Sequence, residues 1–347
     1  MYYSLPYISP AKYFDLYHSR ANSTRIRVQA GRPDTATSMQ QAPIVYLLHY
    51  YLSAGFGCEV LNLAYAIHYF QEHGLSYRII SATWIAAVDR GWHDYFVSLK
   101  EAHSVDSRSI RRLEKLLEVD RYLEKRMNKN IFYAIRNRTF PGIYGLISSN
   151  TCYYRGSELE RIAREYCFAQ RKENYEGFRH AISKILLDLW MPRRHLIARA
   201  ATFLPGDRPF ACIHIRRGDK VATGEDDYFP TEAYFQALKS AAPEIKVVYL
   251  MSDDNRVYEE ACRAFPGYQI YQGPQHGQTG YDQAAYEAAP RSQVQQHTED
   301  LIVDVDIARR AAVFVGTFKS NLFRLVEYLR DEPGIDISGR DRRHSSM

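Results

Sequence analysis

Five consecutive residues, Arg216-Arg-Gly-Asp-Lys220, hold the densest chemistry in this chain. Two guanidinium forks and an ammonium group suit the oxygens of a phosphate or diphosphate. Gly218 permits a tight turn among them. They follow Ala211-Cys-Ile-His-Ile215, an apolar, β-branched run broken only by His214. That run reads as a buried strand, and cations at its carboxyl end call for an anion. The local reading is a strand-end site for a phosphorylated donor. A strand leading into a solvated basic turn is the alternative that the same residues allow.

Two more polar clusters follow apolar runs in the same way. Lys246-Val-Val-Tyr-Leu-Met251 leads to Ser252, Asp253 and Asp254, and Ala312-Val-Phe-Val315 leads to Gly316-Thr-Phe-Lys-Ser320. In an open parallel sheet the carboxyl ends of the strands share one crevice, where ligands bind. Arg216, Arg217, Asp219 and Lys220 then meet the carboxylates Asp253 and Asp254 and the hydroxyls Thr317 and Ser320. Asp304-Val-Asp306 is the pattern closest to a metal pair. On a helix, i and i+2 do not share a face, so Asp304 is expected toward the crevice and Asp306 toward solvent, with no metal site. Gly55-Phe-Gly57 opens an earlier helix, where backbone N–H groups face an anion or simply form a turn. The chain contains no Gly-x-x-x-x-Gly-Lys-Ser/Thr motif and no serine elbow, which disfavours a P-loop NTPase and a serine hydrolase.

The elements that position these residues alternate. Ile44–His49 reads as a strand feeding the Gly-x-Gly turn and a helix that stops near Gly74, and Tyr77–Ser81 as the next strand. Residues 105–130 read as a charged amphipathic helix, 144–155 as loop, and 157–200 as helical. From Phe210 on, strand and helix follow one another. Helices are expected at 231–241 (with Thr231 as N-cap), 255–264, 298–311 and 321–331, and a polar loop at 272–295. This is an α/β pattern with a doubly wound parallel sheet. Pro205-Gly-Asp-Arg-Pro209 punctuates the chain. It divides an α/β domain at 1–200 from a Rossmann-like domain at 201–331, with a polar tail at 332–347.

The 347 residues exceed the usual size of one core, and 46% hydrophobic with 24% charged residues is an ordinary globular balance. The net charge of +5 is too small, and its basic residues too dispersed, to argue for nucleic acid. Five scattered cysteines without a C-x-x-C pair give neither a zinc site nor a disulfide framework and fit a reducing compartment. No apolar run approaches the about 20 residues that span a bilayer, and the N-terminus lacks a signal-peptide pattern. The expectation is a soluble, cytoplasmic chain, or the Golgi lumen if an N-terminal anchor has been removed.

Four blocks, in order and spacing, resemble the α-1,6-fucosyltransferases, the family of core N-glycan and Nod-factor fucosyltransferases. They are Ser53-Ala-Gly-Phe-Gly-Cys58, His214-Ile-Arg-Arg-Gly-Asp-Lys220, Val248-Tyr-Leu-Met-Ser-Asp-Asp254, and Asp304 followed by Phe314-Val-Gly-Thr-Phe-Lys-Ser-Asn321. The resemblance implies a GT-B-like fold, two Rossmann-like domains facing a central cleft. It implies metal-independent, inverting transfer of L-fucose from GDP-β-L-fucose to the 6-hydroxyl of a GlcNAc in an oligosaccharide or glycan, with no cofactor. Arg216 would bind the diphosphate beside His214 and Arg217, and Asp219 and Lys220 would join the catalytic network. Tyr234, Asp253, Asp254, Asp304 and Ser320 match donor-site or catalytic positions. The family's base is a Glu shortly after the Arg-Arg signature. Here Gly224 takes the ungapped position and Glu225 fits after a one-residue insertion, with Asp226 or Asp227 as substitutes. Other linkages, α-1,2 or protein O-fucosylation, are the alternatives within enzymes, and a catalytically silent sugar-nucleotide- or glycan-binding protein is the alternative outside them.

Overall fold

The computed structural model describes residues 45–49, 55–74, 76–81, 84, 86–97, 151–154, 156–204, 206, 208–218, 224, 227–274, 280 and 282–343. Residues 44–347 form one compact unit. It contains two parallel sheets. The first joins β1 (Val45–His49), β2 (Ser76–Ile80) and β3 (Thr151–Tyr154) in the order β2-β1-β3. Helix α1 (Phe56–Glu72) follows β1, and the short α2 (Trp92–Tyr95) follows β2. After β3 come three helices, α3 (Gly156–Glu173), α4 (Tyr175–Leu189) and α5 (Arg194–Phe203).

The second sheet contains β4 (Ala211–Ile215), β5 (Val247–Ser252), β6 (Gln269–Gln272), β7 (Val313–Gly316) and β8 (Ile335–Asp336), all parallel. Helix α6 (Thr231–Ala241) connects β4 to β5, and α7 (Asn255–Ala264) connects β5 to β6. Helices α8 (Gln283–Ala288) and α9 (Arg291–Ala308) connect β6 to β7, and α10 (Asn321–Tyr328) connects β7 to β8. The order β6-β5-β4-β7-β8 places the first two connections on one side of β4 and the last ones on the other.

Every residue of β4 is buried, as expected of a strand covered on both faces. The period of two sorts the strand residues into two cores. Ala211, Ile213 and Ile215 join Val248, Leu250 and Val315 in a layer with Phe235 and Leu238 of α6 and Val257 of α7. Cys212, Tyr249, Met251 and Phe314 face the opposite way, toward Val303, Ile307, Phe323 and Leu325 of α9 and α10. This second core continues into Val60, Ala64 and Phe70 of α1 and Phe178, Ile182 and Leu186 of α4. Helix α10 packs on α1 and α4, and α9 packs on α5.

Several sequence expectations change. Thr151–Tyr154, expected as loop, pairs with β1, because a short strand with one neighbour leaves little periodic signal. The expected polar loop 272–295 contains α8, with Asp282 accepting the Ala285 N–H as its N-cap, and the start of α9. Pro290 sets the start of α9 earlier than the apolar spacing suggests. The polar tail contributes Ile335–Asp336 to the sheet, paired with Val315 and Gly316. Helix 105–130 lies outside the described residues. Among the described residues no helix is long and apolar enough to cross a membrane.

Candidate functional site

The strand order fixes where a ligand binds. Chain connections leave β4 and β7 in opposite directions, so a crevice opens between their carboxyl ends. Arg216 follows β4 and Thr317 follows β7, and the two strands are neighbours. The end of β5, with Asp253, flanks β4 on its other side. The three clusters expected to converge are therefore side by side.

His214 is 3% exposed and shares the α9/α10 side of the sheet with Cys212, two residues earlier. Burial, reinforced by the charge of Arg216, holds its imidazole far below the usual range, at about 3. His214 is thus a neutral group next to a cation. Its Nδ1 has no hydrogen-bond partner among the described residues. Arg217 turns toward α6. Its Nη2 reaches Thr231 Oγ1 at 3.4 Å, and its guanidinium lies 4.5 Å from the centre of the Tyr228 ring. Pro230, not Thr231, occupies the N-cap position of α6, and Thr231 serves Arg217 instead. The adjacent arginines therefore have different surroundings. Tyr234 sits in the core between α6 and the sheet, 1% exposed.

The two aspartates after β5 have separate roles. Asp253 accepts the backbone N–H groups of Arg217 at 2.7 Å and Gly218 at 2.9 Å. It holds the Arg-Arg turn in shape, and its own carbonyl accepts the Gly280 N–H at 3.0 Å. Asp254 is the N-cap of α7, accepting Arg256 N–H at 2.9 Å and pairing with the Arg256 side chain. Those Arg256 hydrogen bonds keep its carboxyl below the usual range.

Asp304 and Asp306 are both buried, at 6% and 1% exposure. Asp304 accepts a 2.5 Å hydrogen bond from Tyr249 Oη of β5. Burial, and then the Asp304 charge, push that phenol well above its ordinary value, so it remains a donor. Gly273, just after β6, brings its backbone against this pair, and a Cβ there would overlap both Tyr249 Oη and Asp304 Oδ1. Asp306 does not face solvent as expected. It pairs with Arg309 at 2.8 Å and Arg310 at 2.5 Å at the end of α9. The two acids thus serve different partners, and among the described residues no three His, Cys, Asp or Glu side chains are grouped as a metal site.

After β7, Thr317 and Ser320 are both 3% exposed. Ser320 precedes α10 without capping it, and its Oγ has no hydrogen-bond partner among the described residues. The first turn of α1 abuts this helix start. A Cβ on Gly57 would come within 3.0 Å of the Asn321 and Leu322 backbone, so Gly57 permits the approach of the two helices. Gly55 precedes α1, and its carbonyl accepts Cys58 N–H at 2.9 Å. It has an extended conformation open to any residue.

Asp219, Lys220, Glu225 and Asp226 lie outside the described residues. Asp227 is described, and it pairs with Arg340 at 2.5 Å on the exposed surface. Sequence reasoning missed Tyr228, Tyr249, Gly273 and Asp336. The alternation Ile335-Asp-Ile337 after Gly334 was the available signal for the last of these.

Two parallel sheets with helical connections, the second with cations and hydroxyls at its switch point, make an architecture of the GT-B type. The fucosyltransferase NodZ from Bradyrhizobium shares this fold, at TM-score 0.50 and 13% identity over 84% of this chain and 94% of that one. A structure of NodZ alpha-1,6-fucosyltransferase soaked with GDP-fucose aligns at TM-score 0.48 and 15% identity, over 83% and 93% of the chains. Residues 181–340 match the family model described as Alpha-(1,6)-fucosyltransferase N- and catalytic domains. An Alpha-(1,6)-fucosyltransferase of Drosophila melanogaster is 27% identical over 149 residues, 41% of this chain and 23% of that protein. The matched stretch thus spans about a quarter of the curated relative's length.

Proposed function

We propose that this protein transfers L-fucose from GDP-β-L-fucose to the 6-hydroxyl of a GlcNAc in an oligosaccharide or glycan, with inversion and without a metal. The observation that carries the reading is the switch-point crevice. A neutral histidine lies near the carboxyl end of β4 and a cation follows the strand, and two buried hydroxyls follow β7 across the crevice. These are the positions to which the resemblance assigns the donor. Residues 201–331 form the donor side, and the part before residue 200 forms the acceptor side.

Arg216 and Lys220 face the diphosphate, where negative charge grows as GDP leaves. Asp304, held by Tyr249, accepts hydrogen bonds from the base. Glu225 takes the proton from the acceptor hydroxyl. The oxygen attacks fucose C1 opposite the phosphate, the C1–O bond to GDP breaks, and its electron pair stays with GDP. The transition state has oxocarbenium character, which the departing, stabilised diphosphate makes accessible.

The test is calorimetric titration with GDP, GDP-fucose and UDP, with and without EDTA. GDP binding that is indifferent to EDTA, absent for UDP and lost in Arg216→Ala is expected. No GDP binding refutes the reading. In Glu225→Ala, transfer falls by a factor of about a hundred or more while GDP affinity is kept. GDP binding without turnover in the unmodified protein, against a panel of GlcNAc oligosaccharides, favours a silent binding protein instead.

A further inference from the structure

The crevice has a carboxylate on each flank, and only one of them follows a family motif. On one side of β4, Asp253 of β5 accepts two backbone N–H groups of the turn after β4. On the far side of β7, Asp336 of β8 accepts the backbone N–H of Phe318, in the turn after β7, at 3.0 Å. Each strand end next to the crevice is thus held by an acid from the strand beyond it.

Asp336 is itself fixed. Its Oδ1 accepts Ser338 N–H at 3.0 Å, and Ser338 Oγ lies 2.8 Å from both carboxylate oxygens. Ile337 N–H donates to Gly316 O at 3.0 Å, which ties the segment to the start of the same turn. Further along, Arg342 pairs with the buried Glu327 of α10 at 3.0 Å, and its guanidinium lies 5.7 Å from the Phe318 ring centre. Phe318 is 0% exposed. Residues 335–342 therefore grip the 316–320 turn through its backbone and through the ring at its middle. Arg340 extends the same segment to Asp227, in the loop that follows Glu225. That pair is exposed and contributes little by itself, so the Phe318 contact is the one that matters.

We propose that Asp336 is a positioning residue for the donor: its carboxylate fixes the Gly316–Ser320 turn against the diphosphate. This rests on the crevice being a GDP-sugar site. Asp336 acts through the turn and does not touch the donor. A turn with its central N–H anchored presents Thr317, Ser320 and the start of α10 in one arrangement, so binding does not have to order them.

The experiment is titration of the full chain and its Asp336→Ala variant with GDP and with guanosine. The unmodified protein is measured first, since failure to bind GDP there overturns the function reading itself. Given GDP binding, Asp336→Ala is expected to weaken GDP about tenfold and guanosine by less than about twofold, because only the diphosphate meets the turn. A generally loosened fold would weaken both ligands alike and overturn the proposal, as would unchanged GDP affinity. Asp336→Asn keeps an oxygen to accept the Phe318 N–H and is expected to restore GDP affinity to within about threefold. If Asp336→Ala does not fold, Asp336→Glu carries the test. Its longer side chain moves the acceptor from Phe318, so GDP selectively weakens, and equal affinity overturns the proposal.

Discussion

His214 is a histidine that the fold keeps neutral, and this has a measurable consequence for acid stability. Burial, aided by Arg216, lowers its folded-state value to about 3, whereas in the unfolded chain it titrates near 6.5. Below pH 6.5 the unfolded state binds a proton that the folded state refuses, so stability falls as pH falls. The slope is about 1.36 kcal/mol per pH unit until the folded value is reached. Between pH 7.5 and 5.0 the loss is about 2 kcal/mol. The perturbation is His214→Gln, which keeps a polar, uncharged side chain at the position. Urea unfolding of both proteins, without ligand, is followed from pH 7.5 to 5.0 by far-UV circular dichroism and by the fluorescence of the buried Trp84, Trp92 and Trp190. The other histidines and the carboxylates are common to both proteins and cancel in the difference. Whatever the variant costs at neutral pH, its stability relative to the parent must rise as pH falls, by about 2 kcal/mol at pH 5.0. Parallel curves would mean that the imidazole titrates normally in the folded state. A parent that gains stability in acid would mean a protonated, paired histidine. Either result refutes the reasoning.

Two further substitutions test the shape of the crevice. Asp253→Ala removes the acceptor of two backbone hydrogen bonds, and each bond to a charged group contributes about 1.5–3 kcal/mol. Thermal unfolding should show a loss of that order, and calorimetry should show GDP weakened at least about tenfold. Gly273→Ala introduces a methyl group where Tyr249 and Asp304 meet. It should push these side chains apart at a cost of about 1–3 kcal/mol and weaken guanosine as much as GDP. This is the opposite of the pattern expected for Asp336→Ala.

Local chemistry made much of this protein legible. The strand at 211–215 and the helices at 231–241 and 255–264 followed from apolar spacing, because such signals lie within a few residues of their effect, although the caps at Pro230 and Asp254 come only from the structure. The parallel sheet followed from the alternation of strand and helix. The motif blocks carried the family resemblance, since Arg216, Asp253 and Ser320 keep an order that one chain can display without being folded.

What each residue touches was decided only by the tertiary structure. Asp253 and Asp254 are adjacent acids, yet one holds the Arg217 turn and the other caps a helix, because a bond to a turn 36 residues away depends on β4 and β5 pairing. Asp306 looks like a surface acid, but Arg309 and Arg310 fold back over it at the end of α9. Gly57 looks like an anion-binding turn, but it is the place where α1 meets α10, more than 260 residues later in the chain. Asp336 stands in a polar stretch whose alternation is three residues long, and only pairing with β7 brings it to the Phe318 N–H. A sequence fixes which groups a strand end offers. The order of strands in the sheet fixes which of those groups meet, since sheet neighbours are set by packing of both faces and not by distance along the chain.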